Sequence, residues 1–295
     1  QICLENTYVH IAENGQENMV LCCDFLALRL ALCTELSLSY TIAERRKELL
    51  RRHNITWVTL FDSACAYYYA LSGQITQIPV LFREHQLSTV NFLAPGKPMM
   101  ELIENQVYLA QQEYAKVIGR SEGLLAVCEA MHYALVALHV QIQTAAAYEC
   151  LGKRTEARNC LKRALQIALP DQFYLPFVEN YEYLEELLQR EIQTADAAEH
   201  VFLTKVTELG KNCQKRYGAL RKTHMFPKIA AELTEQEQRI IELLAERLSN
   251  REIAEKLFLS EGTIKQYINR IYAKLQISGD VRTKRRQLIE LLTAE

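Results

Sequence analysis

The residues that could interrupt a helix are few in this chain, and their scarcity constrains the fold more than any other feature. Six Pro and ten Gly occur among 295 residues. No segment of residues 1–220 alternates apolar and polar residues with the period of a strand. Apolar residues recur instead every three or four positions, which is typical of amphipathic helices. The sequence therefore predicts an all-α chain.

The predicted helices of this long region are expected to pair into hairpins that stack as a solenoid. They cover residues 17–36, 41–53, 55–72, 75–86, 99–117, 121–130, 132–151, 154–168, 175–190 and 195–218. The clearest hairpin turns at Gly152, with Ala147 before it and Ala157 after it, and it resembles a tetratricopeptide-type hairpin. Small residues let two helices approach closely, and glycine favours a helix end. Gly73 and Gly119 predict two similar turns.

The segment 233–277 contains three shorter helices separated by capping and turn signals. Thr234 and Glu237 have the spacing of a capping box at the start of the first helix. Ser249 or Asn250 offers the cap of the second helix, which must be short. A compact three-helix unit is therefore predicted near the C-terminus.

The third helix of this segment follows Ser260 and is amphipathic. Its apolar stripe consists of Ile264, Ile268, Ile271 and Leu275. Its polar residues off that stripe are Lys265, Gln266, Asn269 and Arg270. A helix exposed in this way can enter the DNA major groove, where Lys donates to guanine and Asn or Gln bonds adenine. These four residues are the candidate readers of DNA.

The charge of the C-terminal region agrees with a nucleic-acid partner. Seven Lys or Arg lie between Thr263 and Ile289 against one acid, Asp280, although the whole chain carries −2. Small hydroxyls near a helix N-terminus often meet phosphate, and Thr263 fits that role. The sequence therefore predicts double-stranded DNA as a partner.

The segment resembles the LuxR-type helix-turn-helix of bacterial transcription regulators. The residues that carry the resemblance are Leu233, Thr234, Glu237, 248–250, 252–254, Leu257, Leu259, Ser260, 262–265, Ile271, Tyr272, Lys274 and Leu275. It implies base contacts by Lys265, Gln266 and Asn269, and phosphate contacts by Thr263, Arg270 and Lys274. It also implies a fourth helix over about 283–293 that in several relatives helps the domain to dimerise.

A second resemblance concerns residues 133–190, which are similar to the end of the helical-repeat domain in MalT-like large ATP-binding LuxR regulators. It rests on residues 164–170, Phe173, 176–179, Leu184 and 187–188. It implies a helical-repeat domain that senses a small-molecule inducer or a protein partner and controls self-association. Aromatic residues that could line a ligand surface, although core packing is their commoner role, are Trp57, Tyr67, Tyr68, Tyr69, Tyr108, Tyr114 and Tyr148.

These features predict a sensor domain over 1–220, a linker over 221–232 and a helix-turn-helix domain over 233–295. The chain begins at Gln1 rather than Met and has no Gly-x-x-x-x-Gly-Lys-Ser/Thr loop. We therefore expect a piece of a longer protein, with any ATPase module upstream and no cofactor in this chain.

Other function classes are disfavoured by the sequence. Nine scattered cysteines without metal-ligand spacing indicate buried thiols in a reducing compartment rather than a metal site. No apolar run is long enough to span a membrane, so a cytoplasmic protein is expected. No nucleophile motif or carboxylate pair suggests an enzyme. The alternative to a transcription regulator is a protein-interaction scaffold whose terminal domain serves docking or dimerisation.

Overall fold

The structure is a computed structural model, and its described residues are helical or lie in turns, with no strand among them. It describes residues 2–14, 16–34, 38, 41–90, 94–231, 233–245, 248–275, 277, 279–280, 283–285 and 287–288. The all-α prediction is confirmed. None of the described helices is both long enough and apolar enough to cross a membrane.

The α-helices follow one another along the chain with short turns between most of them. They are α1 (Ile2–Asn14), α2 (Glu17–Cys33), α3 (Ile42–Arg51), α4 (Ile55–Leu71), α5 (Val80–Arg83), α6 (Lys97–Ala110), α7 (Tyr114–Ala130), α8 (Ala134–Cys150), α9 (Arg154–Ala168), α10 (Leu175–Glu179), α11 (Tyr181–Ile192), α12 (Ala197–Ala231), α13 (Glu235–Ala245), α14 (Asn250–Leu257) and α15 (Glu261–Lys274). Short 3₁₀ helices cover Ile75–Gln77, Leu87–Thr89 and Ala94–Gly96.

The chain divides into two compact units, Gln1–Tyr217 and Gly218–Glu295. The division falls within α12, which continues to Ala231. The segment 221–232, predicted as a linker because it lacks a regular apolar period, is helical as far as Ala231, although it contains Pro227. The assignment of the sensor, linker and DNA-binding domains stays a prediction.

Residues with left-handed backbone lie at the turns of the N-terminal unit. Positive φ angles occur at His53, Gly73 and His85, and then at twenty-residue steps at Gln112, His132, Gly152 and Gln172. The turns predicted at Gly73 and Gly152 are confirmed. Two successive steps cover forty residues, whereas a tetratricopeptide repeat covers about 34 residues. The tetratricopeptide likeness therefore stays a prediction.

The turn predicted at Gly119 is wrong, because this glycine lies inside α7 and Gln112 makes the turn instead. Helix α7 continues through Gly119 because its packing buries Val117 fully. An exposed glycine such as Gly119 lowers helix stability by only about 1 kcal/mol relative to alanine. Several other boundaries differ. Helix α1 was not predicted, and Pro79 divides the predicted helix 75–86 into a 3₁₀ turn and α5.

Helix α8 lies at the centre of the main core of the N-terminal unit. It packs against α6, α7, α9, α10 and α11. Residues 138–147 of α8 are buried, including the consecutive alanines 145–147, and the facing Ala157, Ala164 and Ala168 of α9 are fully buried. Small side chains on both helices explain their close packing, as the sequence predicted.

The core of the C-terminal unit is apolar and comes from three helices and the segment after them. Its buried members are Leu233, Ile240, Ile241, Leu244, Ile253, Ala254, Ile264, Ile268, Ile271, Tyr272 and Leu288. The predicted apolar stripe of α15 is confirmed, with Leu275 partly buried against this core. One face of α15 is thereby fixed, and its other face stays exposed.

Candidate nucleic-acid interface

Helix α13 begins with the predicted capping box, and the same carboxylate also holds α15. The Thr234 amide donates to Glu237 Oε2 at 2.8 Å, and the Glu237 amide donates to Thr234 Oγ1 at 3.4 Å. Lys274 Nζ donates to Glu237 Oε2 at 2.7 Å. Burial alone raises the pKa of Glu237, but the donors from Lys274 and Thr234 outweigh it and hold this pKa below its ordinary value.

Helix α14 has a capping box of its own, and Ser249 rather than Asn250 is its N-cap. The Ser249 amide donates to Glu252 Oε2 at 2.7 Å, and the Glu252 amide donates to Ser249 Oγ at 3.3 Å. The helix ends at Phe258, which adopts φ 54° and ψ 40° and is 96% exposed. This left-handed residue reverses the chain between α14 and α15.

Helix α15 starts where the sequence predicted. The Thr263 amide donates to Ser260 Oγ at 3.0 Å, and the hydroxyls of these two residues are 2.7 Å apart. The cap satisfies one of the free amides of the first turn. The first turn of α15 is therefore held in place, although Ser260 itself is exposed.

The three residues predicted to contact bases lie together on the exposed face of α15. Lys265, Gln266 and Asn269 are all exposed, opposite the buried Ile264 and Ile268. Lys265 Nζ is 3.6 Å from the Glu261 carboxylate, a pair in which both side chains are more than half exposed. Such an exposed pair contributes little to stability, so Lys265 can exchange this partner for a base edge.

The residues predicted to contact phosphate have three different settings. Thr263 is half-buried, with its hydroxyl against Ser260. Arg270 is exposed, and its guanidinium lies 4.5 Å from the centre of the Tyr267 ring. Lys274 is bound to Glu237. The phosphate contacts themselves stay predictions, and Lys274 also has an internal structural partner that the sequence did not reveal.

Arg285 is a second basic residue whose role was not apparent from the sequence. Its guanidinium donates to Asn250 Oδ1 at 2.8 Å and also to the Leu248 carbonyl oxygen. It thereby connects the segment after α15 to the start of α14. Residues 283–285 and 287–288 are helical, and the remainder of the predicted fourth helix lies outside the described residues. No sequence periodicity could have paired Arg285 with Asn250, because the contact is long-range.

The aromatic residues predicted as a possible ligand surface are mostly packed inside the N-terminal unit. Tyr67 and Tyr68 are buried, and Tyr108 stacks on His85 with ring centres 3.8 Å apart. Tyr148 is half-buried against the main core, and the remaining candidates Trp57, Tyr69 and Tyr114 are also half-buried. Their contacts are those of packing residues, and a ligand contact by any of them stays a prediction.

Within the described residues, no group of three or more His, Cys, Asp or Glu side chains could hold a metal ion. Among the described polar residues of the C-terminal unit, several cap helices or form ion pairs, and others face solvent on α15. Helix α15, which packs on the core through its apolar face, therefore offers hydrogen-bond donors and acceptors to an external partner.

Comparison with known protein families places a match in this C-terminal unit. Residues 231–285 match the family described as bacterial regulatory proteins, luxR family. The DNA-binding transcriptional activator DevR/DosR of Mycobacterium tuberculosis is 49% identical over 43 residues, which are 15% of this chain and 20% of that protein. The transcriptional regulatory protein LnrK of Bacillus subtilis is 41% identical over 51 residues, 17% of this chain and 23% of that protein.

A longer match is to the uncharacterized transcriptional regulatory protein YxjL of Bacillus subtilis, 34% identical over 90 residues, 30% of this chain and 39% of the relative. The matched segments thus span about a fifth to two fifths of these relatives. No solved structure matches the chain. Together with the capped three-helix frame, these matches show that residues 231–285 form a LuxR-type helix-turn-helix domain.

Proposed function

We propose that this chain is the sensing and DNA-binding part of a bacterial transcription regulator. The observation that carries the proposal is the exposed polar face of α15, which stands on a buried apolar stripe in a LuxR-type domain. The helix presents Lys265, Gln266 and Asn269 to the major groove, with Thr263 and Arg270 toward the phosphates. The protein acts where DNA is, in the cytoplasm.

The base contacts are tested by selecting bound duplexes from a random DNA pool at physiological salt. The native chain should enrich a sequence motif, and a Lys265→Ala/Asn269→Ala variant should lose that preference, because bidentate base contacts discriminate by about 1–3 kcal/mol each. Arg251→Ala is the matched control, since Arg251 is 81% exposed on α14. It should keep the motif.

The salt dependence of binding separates the two kinds of contact. Arg270→Ala should weaken binding to selected and random duplexes alike, and should make the affinity less dependent on salt because one phosphate contact is lost. Lys265→Ala should mainly reduce the preference for the selected sequence. Equal losses on both kinds of DNA for Lys265→Ala and Arg270→Ala would overturn the assignment of bases and phosphates.

The sensing role rests on polar groups buried inside the N-terminal unit. Gln143 Nε2 donates to Gln106 Oε1 at 3.0 Å, but Gln143 Oε1 and Gln106 Nε2 have no partner among the described residues. The side-chain Nδ2 and Oδ1 of Asn105 and Nδ1 of the buried His139 also have no hydrogen-bond partner among the described residues. Burial lowers the pKa of His139 to about 3, so its ring is neutral. Unbonded buried polar groups are costly, and an ordered water or a small polar ligand would supply the partners that these atoms lack.

In this proposal, ligand or partner binding to the helical repeats changes self-association, and paired domains then bind two half-sites with avidity. Sedimentation of the chain with DNA carrying one or two selected half-sites tests the last step. Two chains should bind the double site more tightly than the single site by more than a factor of two. If the native chain selects no DNA motif and sediments as a monomer on every duplex, the scaffold alternative is favoured instead.

A further inference from the structure

Two cysteines far apart in sequence meet inside the N-terminal unit. Cys33 ends α2 and Cys213 lies in α12, and their sulfur atoms are 3.2 Å apart. A disulfide has a sulfur–sulfur distance of about 2.05 Å. The two thiols are thus in direct contact, and a movement of about 1 Å would bring them to bonding distance.

A second contact beside the thiols holds α12 against α2. Arg216 Nε donates to the Ala31 carbonyl oxygen at 2.9 Å, and Cys213 Sγ lies 3.9 Å from the Leu32 carbonyl oxygen. Arg216 lies one helical turn after Cys213, so the two attachments are on the same side of α12. The sulfur atoms therefore meet because two packed helices place them there.

The setting of the pair favours reaction at one sulfur. The hydrogen bond between the two thiols lowers the pKa of Cys213 against the opposing effect of burial, and Arg216 also lowers it. The same hydrogen bond raises the pKa of Cys33, and burial raises it further. Cys213 is only 3% exposed, whereas Cys33 is half-buried and gives a small molecule access to the pair. The thiolate is the reactive form of cysteine.

We propose that Cys33 and Cys213 are a redox-modification site that takes a peroxide and forms an intramolecular disulfide. The inference is independent of the proposed DNA-binding function, because it concerns the N-terminal unit alone. The disulfide would join α2 covalently to α12 and close a loop that contains most of the helical repeats.

The reaction is balanced with hydrogen peroxide as the oxidant. The Cys213 thiolate attacks one peroxide oxygen, the O–O bond breaks, and the departing hydroxide takes a proton to become water. Cys213 is then a sulfenic acid. The Cys33 sulfur attacks the Cys213 sulfur, the S–S bond forms, the S–O bond breaks, and a second water leaves with the Cys33 proton. Two thiols are oxidised by two electrons, and one peroxide is reduced to two waters.

Peptide mapping of the native chain tests the proposal directly. The reduced chain is treated with one equivalent of hydrogen peroxide at neutral pH, alkylated and cleaved with trypsin. Cleavage after Arg29 separates Cys33 from Cys22 and Cys23, so the expected product links peptide 30–45 to peptide 212–215. The chain should lose about 2 Da, its titratable thiols should fall from nine to seven, and dithiothreitol should reverse both changes.

Substitutions at the pair and away from it give the matched comparison. Cys33→Ser and Cys213→Ser should each abolish the linked peptide, whereas Cys150→Ser, at an exposed cysteine, should retain it. Hydrogen exchange should also slow in residues 205–216 of the oxidised native chain, because the cross-link restrains that part of α12.

Three results would overturn the inference. The first is that Cys33 and Cys213 are each still alkylated as free thiols when the exposed Cys150 is already oxidised. The second is a disulfide from either of them to another cysteine. The third is a disulfide between two chains. Each is read from the native chain, so a variant that fails to fold does not affect the conclusion.

Discussion

The two units of this protein differ in where most of their buried polar groups find partners. In the C-terminal unit, polar side chains cap helices over three residues, as Thr234 and Glu237 do, above an apolar core. In the N-terminal unit, buried polar groups join distant segments: the Arg29 guanidinium donates to both oxygens of Glu179, 150 residues away, at 2.7 and 2.8 Å. The comparison teaches that local signals specify the helix starts of the small unit, whereas the buried charges of the large unit depend on long-range pairing.

The Arg29–Glu179 ion pair shows how this dependence makes stability sensitive to single substitutions. The Tyr67 hydroxyl also donates to Glu179, at 2.8 Å, and the Glu179 side chain has no exposed surface. A buried ion pair recovers little net stability over an apolar substitute, but losing one partner leaves the other charge buried. The interior of the N-terminal unit is therefore more sensitive to single polar substitutions than the C-terminal unit.

The largest expected effect is that of Glu179→Ala. The free energy of unfolding of the N-terminal unit should fall by about 3–5 kcal/mol, because Arg29 and Tyr67 lose their shared acceptor. Urea unfolding followed by the fluorescence of Trp57 measures it, since this single Trp lies in α4.

The control for that experiment is Glu186→Ala, at an 81% exposed carboxylate 3.9 Å from Arg190. It should change the stability much less, because exposed ion pairs contribute little. Equal losses of unfolding free energy in both variants would contradict the difference drawn between buried and exposed charges.

An intermediate effect is expected for Lys274→Ala in the C-terminal unit. The Glu237 side chain is 3% exposed and would lose its cation while keeping its donors from Thr234. A loss of about 1–3 kcal/mol follows, to be measured in the full chain as reduced hydrogen-exchange protection of α13 and α15. Arg251→Ala, which removes an exposed pair, should leave this protection nearly unchanged.

The same ion pair predicts a pH dependence with a definite sign. Since the folded-state pKa of Glu237 is lowered, its contribution is present above the unfolded pKa of about 4.3 and is lost as pH falls through the folded value. Native protection should therefore decrease on acidification below about pH 5. The decrease should be smaller in Lys274→Ala, and an identical decrease would contradict the role given to Lys274.

The smallest effect is expected for Phe258→Gly at the turn before α15. A left-handed residue with a Cβ costs roughly 1–2 kcal/mol, while glycine costs about 0.5–1 kcal/mol in backbone entropy. Because the ring is 96% exposed, little burial is lost, and the unit should gain about 0.5 kcal/mol. Hydrogen exchange of α14 and α15 measures the gain, and Phe258→Ala, which keeps the Cβ, should show none.

Much of the C-terminal unit could be predicted from residues close in sequence. The caps at Thr234, Ser249 and Ser260 and the buried stripe of α15 all lie where the sequence predicted. The exposure of Lys265, Gln266 and Asn269 followed from the same periodicity. The partners of Lys274 and Arg285 could not be predicted, because each contact crosses more than thirty residues.

The N-terminal unit was predicted less completely for the same reason. Its helical class followed from composition and period, but the turn at Gln112 rather than Gly119 was decided by which side chains could be buried. Turn chemistry favoured glycine, yet packing around Val117 outweighed a preference of about 1 kcal/mol.

The sequence by itself determined that this chain is helical and that residues 233–277 form three short capped helices, the third of them amphipathic, because caps and periodicity act over a few residues. Only the tertiary structure decided which buried charges pair, which basic residues of the C-terminal unit are bound internally, and that Cys33 meets Cys213. Those contacts depend on how distant helices pack, and no local pattern of residues encodes them.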